Sequence, residues 1–163
     1  MTSTFVDAWD YRILDIARAG KVFVEESAYN LTYSEQNTLN ALYAAFLDTD
    51  AALLVDYTDD VINGFAHVQR MNEGHVEYLG YLNKFYVLPD RRHTRAGVRL
   101  VELACEWFDK RDCEMSFANA MARIGRDAAF IRLMKLFGYE ETNGGTLIRR
   151  INNNVGIIQQ TKS

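Results

Sequence analysis

The stretch YVLPDRRHTRAGVRLVELACEWF, Tyr86–Phe108, holds the chain's only proline and four arginines, at positions 91, 92, 95 and 99. An apolar run stops at Pro89 and a basic, polar loop follows. The spacing of Val98, Val101, Ala104, Cys105 and Phe108 then predicts a helix over 95–110. Proline gives no N–H to a sheet ladder and fixes the direction in which the chain leaves the strand. The first amides of the helix that follows have no intrahelical acceptor and sit at the positive end of its dipole. Such a loop can wrap those donors around a phosphate. Arg92 and Arg95 add charge, Thr94 adds a hydroxyl or a cap, and Gly97 permits close approach of the backbone. The segment reads as a pyrophosphate cradle, although the same arginines would also suit a solvated helix start.

Outward from this loop the pattern changes character twice. On its N-terminal side, AALLVDY (51–57), VINGFAHVQRM (61–71) and HVEYLGYLNKFYVL (75–88) read as three strands of an antiparallel meander with tight turns at TDD and NEG. Before them, 7–19 predicts a helix with Trp9, Ile13, Ile16 and Ala17 on one side. A second helix, capped by Ser34, carries Leu39, Leu42, Tyr43, Phe46 and Leu47 as its apolar stripe. On the C-terminal side, 113–120 reads as a strand and RDAAFIRLMKLFG as a helix closed by Gly138. A terminal hairpin around Asn143-Gly144-Gly145 follows. A meander feeding a strand–helix–strand unit implies an α/β domain whose mixed, mostly antiparallel sheet has helices on both faces. One domain over 1–151 with a polar tail at 152–163 is the simplest organisation.

Composition narrows the function classes. A hydrophobic content of 48% and a charged content of 25% belong to an ordinary globular domain. A net charge of −4 does not favour a nucleic-acid binder, which draws on a broad basic surface. No apolar run approaches the ~20 residues of a membrane span, and the start of the chain does not read as a secretory signal. Cys105 and Cys113 match no zinc or redox spacing and read as reduced thiols, so a cytoplasmic protein is expected. His67, His75 and His93 share no metal-ligand spacing, and no metal is expected. Asp48, Asp50, Asp56, Asp59 and Asp60 suit solvated turns or the attraction of a cationic ligand.

Neither G-x-x-x-x-G-K-[ST] nor G-x-G-x-x-G occurs after a strand. What stands here is Val87-x-Pro89, then Arg92-His93-Thr94-Arg95-Ala96-Gly97, then an amphipathic helix. This resembles the acetyl-CoA-binding segment of the GNAT superfamily of N-acetyltransferases, in which V-x-P is followed by [RQ]-x-x-G-x-[GA] and a helix. Ile62-Asn63-Gly64-Phe65-Ala66 is similar to the family's strand before the motif, and Leu133–Glu140 to its passage into the last hairpin. The order of elements agrees over roughly residues 51–151, and a first family strand would fall near Thr4–Val6.

The resemblance implies direct transfer of an acetyl group from acetyl-CoA to an amine of a small molecule or protein. It implies that Phe85–Leu88 splays from the next strand and pairs with pantetheine, with an N–H near Val87 polarising the thioester carbonyl. Amides from His93 to Val98 (His93, Thr94, Arg95, Ala96, Gly97 and Val98) would hold the pyrophosphate, with the Arg92 side chain beside it. The family often forms dimers, so a homodimer is among the assemblies implied. No motif fixes the base that must deprotonate the amine. Glu77 is the first candidate, because in an unbulged strand it shares a face with Tyr81 and Val87. Tyr139, Ser116 and Asn119 are further candidates for the acid or for substrate contacts, and Tyr81 for acceptor recognition or plain packing.

Two residues depart from the family pattern. Arg95 replaces the loop's first glycine, and Met134 stands where many members carry the tyrosine that protonates the leaving thiolate. They keep open a second reading, a catalytically silent member that binds CoA or a partner protein.

Overall fold

The computed structural model describes residues 2–6, 10, 12–27, 29–119, 127–142 and 145–151. Strand β1 (Thr2–Val6) is followed by helices α1 (Ile13–Glu26) and α2 (Glu35–Leu47). The meander β2 (Ala51–Thr58), β3 (Val61–Met71) and β4 (Tyr78–Val87) comes next, then a 3-10 turn at Pro89–Arg91 and helix α3 (Ala96–Lys110). Strand β5 (Cys113–Asn119), helix α4 (Asp127–Leu136) and the short strands β6 (Glu140–Glu141) and β7 (Thr146–Arg150) complete the described chain. The strands form one sheet in the order β1-β2-β3-β4-β5-β7-β6. Its pairings are antiparallel except β4 with β5, the pair that flanks α3 in sequence.

Local chemistry sets the helix boundaries. The Asp10 carboxylate accepts the Arg12 amide at 2.8 Å and the Asp10 carbonyl accepts Ile13 N–H at 3.2 Å, so α1 begins at Ile13 and not near residue 7. It also runs further than its apolar spacing predicts, to Glu26; Trp9, from the expected first turn, lies outside the described residues. Ser34 caps α2 as expected, its hydroxyl accepting Asn37 N–H at 3.2 Å. Of the expected α2 stripe, Leu39, Leu42 and Phe46 are half-buried, while Tyr43 and Leu47 are exposed. Helix α4 closes where Gly138 takes a φ of +89°, which lets the Tyr139 amide return to the Met134 carbonyl at 3.2 Å. The Asn143-Gly144 turn and the tail 152–163 lie outside the described residues.

Alternation along the strands divides the core into two layers. Leu54, Ala66, Val68 and Leu82 face α3 and α4, packing on Leu100, Val101, Phe108 and Met134. Leu53, Val55, Phe65 and Tyr86 face the other way, against Ile16, Ala19 and Phe23 of α1 and Leu42 and Phe46 of α2. Helices thus cover both faces of the sheet. Among the described residues no helix is long and apolar enough to cross a membrane.

Two one-residue irregularities bear on function. Asp56 pairs with Gly64 and Tyr57 with Ile62, which leaves Asn63 as an extra residue in β3. His67 pairs with Lys84 and Val68 with Leu82, which leaves Asn83 as an extra residue in β4. The second bulge reverses the alternation partway along β4. Tyr81 and Val87 therefore lie on opposite faces, which corrects the expectation drawn from an unbulged strand.

Candidate active site

The site forms where β4 outruns its parallel neighbour. Pairing with β5 ends at Leu82–Ala118, whereas β4 continues to Val87. Past the Asn83 bulge the edge of β4 that faces β5 has no partner strand among the described residues. On the α4 side this gap is bordered by Phe85 and Phe130, whose rings lie 5.4 Å apart. Strand β4 then passes through the 3-10 turn into α3.

At the head of α3, two amides are used internally. Thr94 N–H donates to the Arg91 carbonyl at 3.2 Å, and Ala96 N–H to the Thr94 hydroxyl at 3.2 Å. Among the described residues the amides of His93, Arg95, Gly97 and Val98 make no hydrogen bond within the protein. His93, Thr94 and Arg95 are exposed and Gly97 and Val98 half-buried, whereas Ala96 is buried. Gly97 also answers a packing need, because a Cβ there would meet Leu133 Cδ2 at 3.3 Å and Phe85 at 3.6 Å.

The four arginines of the segment divide by partner. Arg99 donates to Asp56 from Nε at 2.7 Å and from a terminal nitrogen at 2.9 Å, tying α3 to a carboxylate that is 0% exposed. Asp56 is thus a buried anchor and no solvated turn residue. Arg92 donates to the Val87 carbonyl at 3.0 Å and to Glu26 at 2.8 and 3.2 Å. Glu26, at the end of α1, also accepts the Tyr86 hydroxyl. The Arg92 guanidinium therefore braces the loop against α1, where the resemblance had it beside a pyrophosphate. Arg92→Ala should cost about 2 kcal/mol of stability, the scale of lost hydrogen bonds to a charged group. Chemical denaturation checks this, and an unchanged midpoint would refute the bracing role. Arg91 lies 3.8 Å from Asp90, and Arg95 is exposed with no ion-pair partner among the described residues.

The other expected residues scatter. Glu77 is exposed and lies outside β4, roughly 17 Å of extended chain before Leu82. It stands at the wrong end of the strand for the opening. Ser116 and Tyr139 are both buried, and their hydroxyls share a hydrogen bond of 2.6 Å beneath α3. Burial pushes the Tyr139 phenol well above its usual range, with the nearby Cys105 adding to the effect. Both hydroxyls are buried and engaged with each other. Asn119, exposed at the end of β5, accepts from the Thr146 hydroxyl at 3.2 Å. Tyr81 stacks on Phe117 at 5.5 Å, on the face turned away from α3. Met134 is completely buried.

Burial raises both cysteine thiols, Cys113 to about 11, so neither supplies a thiolate nucleophile at neutral pH. Among the described residues no three His, Cys, Asp or Glu side chains gather as metal ligands.

Two groups near the site escape sequence reasoning. Glu26 is one, since its partners Tyr86 and Arg92 lie 60 and 66 residues away. The other is a polar chain at the β4 bulge. Gln69 donates to Asp48 at 3.2 Å, Asn83 donates to Gln69 at 3.0 Å, and the same Asn83 nitrogen lies 3.4 Å from His67 Nδ1. Burial, with Lys84 adding to it, holds the His67 imidazole below the usual histidine range, and Asp48 opposes this only in part. The alternation of Phe65, His67 and Gln69 hints at the shared face. Nothing in sequence marks the bulge.

A mixed sheet with one parallel pair beside a helix whose first amides have no partner among the described residues is an acyltransferase type of fold. The acetyltransferase (GNAT) family profile matches residues 13–139, and the chain belongs to that family of N-acetyltransferases. Solved structures agree on the fold. Ribosomal-protein-alanine N-acetyltransferase from Brucella melitensis superposes with a TM-score of 0.74 at 19% identity, covering 90% of this chain and 99% of that one. An aminoglycoside acetyltransferase from an uncultured soil metagenomic sample, in complex with sisomicin, gives 0.68 at 13% identity, covering 86% and 91%. The NatC complex bound to Gag peptide and CoA gives 0.63 at 16% identity, covering 92% and 99%. No curated protein matches the chain by sequence.

Proposed function

We propose that the chain transfers an acetyl group from acetyl-CoA directly to a primary amine. The observation that supports this reading is the continuity of a β4 edge with four amides at the head of α3, none of which has a partner among the described residues. A diphosphate suits that end chemically. It meets unshared N–H donors, the helix dipole and the uncommitted cation of Arg95. The pantetheine arm, itself a pair of amides, suits the exposed edge of a strand. In this reading the Arg95 side chain supplies the contact that a glycine amide makes in the family pattern.

Acetyl-CoA is the acyl donor. The amine reaches its carbonyl only as a free base, so an ammonium with a pKa near ~10.4 must first lose a proton. An amide bond forms, the C–S bond breaks, and the departing thiolate takes its proton from solvent, because Met134 has none to give. Both cysteine thiols are held protonated in the core, so neither serves as an acyl carrier at neutral pH.

Thermal denaturation tests the donor site. Acetyl-CoA at 100 times its dissociation constant should stabilise the fold by about 2.7 kcal/mol, a shift of several degrees. Arg95→Ala should leave the melting point of the free protein within a degree and weaken acetyl-CoA binding about tenfold, with a shallower salt dependence. No shift at millimolar acetyl-CoA would refute the donor site.

A further inference from the structure

We infer that His67 takes the proton from the acceptor amine, within a polar site at the β4 bulge on the sheet face opposite α3. The inference rests on the transferase reading above. The first support is a chain of fixed orientations. Gln69 donates its NH2 to an Asp48 carboxyl oxygen and so turns its own oxygen toward Asn83. Asn83 must then present its NH2 to Gln69, and the same nitrogen faces His67 Nδ1. The ring therefore offers a lone pair at Nδ1 and carries its hydrogen on Nε2. At 3.4 Å the Asn83–His67 contact is long, so an ammonium can displace it.

The second support is position. His67 pairs with Lys84, the residue next to the bulge, and β4 alone separates it from the opening, one strand spacing of about 4.8 Å. Tyr81 and Phe117, stacked on the same face, floor the approach and suit the carbon skeleton of the acceptor. Among the described residues the charged groups acting on the ring are Lys84 from β4 and Asp48 from the end of α2. Burial, with the Lys84 cation adding to it, disfavours a protonated ring, which leaves the imidazole free to act at neutral pH.

The proton balance closes. The ammonium gives one proton to His67 Nδ1, the freed amine attacks the thioester carbon and the C–S bond breaks. The proton still on nitrogen passes through solvent to the thiolate, and the imidazolium returns its own proton to water. The products are an amide, CoA as the free thiol and one proton.

Two measurements decide the matter. Nitrogen-15 NMR of the imidazole should show Nδ1 unprotonated at pH 7 and titrating below the usual ~6.5; an Nδ1–H tautomer overturns the inference without any acceptor being needed. CoA thiol release is followed with acetyl-CoA and either an alanine-terminated peptide or 2-phenylethylamine. Where neither amine is acetylated, acetyl-CoA hydrolysis is the rate compared. His67→Ala and His67→Gln should each lower kcat/KM about 100-fold at pH 7. The deficit should shrink toward pH 10, added imidazole should partly restore His67→Ala, and the acetyl-CoA melting shift should persist. Unchanged rates and pH profile in both variants, or a loss that imidazole leaves untouched while the melting point falls, would assign His67 a structural role. Failure of the wild-type chain to bind acetyl-CoA, or to turn it over with amine or water, would instead remove the transferase reading and the inference with it.

Discussion

Arg99→Met should destabilise the fold by about 3–5 kcal/mol, the cost of removing one partner of a buried ion pair. The carboxylate of Asp56 is completely inaccessible and takes two hydrogen bonds from the Arg99 guanidinium, with a third from Asn63 at 2.8 Å. The expected drop in Tm is on the order of 10 °C. The double variant Arg99→Met with Asp56→Leu should recover most of the loss, since a packed apolar pair removes the stranded charge along with its partner. A single-variant loss under about 1 kcal/mol would show that the pair behaves as an ordinary surface ion pair. The effect reaches the site because Arg99 lies in the first turns of α3, whose free amides depend on how that helix is seated.

Gly64→Ala should be nearly as severe, at about 3 kcal/mol, and should abolish the acetyl-CoA melting shift as well. A Cβ at this position would lie 2.4 Å from the Tyr86 carbonyl oxygen and 3.0 Å from Val87 Cα. Both are backbone atoms, so no rotamer change relieves the overlap and β4 itself must retreat. It would do so at the point where the strand leaves for the loop before α3, beside the Leu88 amide that donates to the Asn63 carbonyl at 2.8 Å. Denaturant titration and acetyl-CoA binding measured on the same variant check both halves. Wild-type stability with wild-type binding would mean that the strand tolerates the displacement.

What could be read in the sequence follows from what is local. Pro89, the 3–4 residue spacing after Gly97 and the period-2 runs on either side are short-range signals, and the elements they predict are present. Ser34 and Gly138 announce their caps for the same reason. The bulge at Asn83 is different. YLNKFYV keeps a strand-like composition through it, and only the register against β3 shows that one residue is unpaired. That single residue undoes the argument for Glu77, moves Tyr81 to the face opposite Val87 and brings Asn83 to His67. The arginines of the loop look alike in sequence, yet Arg92 and Arg99 are claimed by Glu26 and Asp56, which arrive from distant elements. Burial likewise separates Tyr139 and Ser116 from the exposed roles their hydroxyl chemistry suggests.

The sheet's last strand has only two residues, Glu140 and Glu141, both exposed at the outer margin. A stray β-segment seeking to extend the ladder there would find two rungs and a pair of carboxylates. Brevity and exposed charge together discourage edge-to-edge aggregation along that rim.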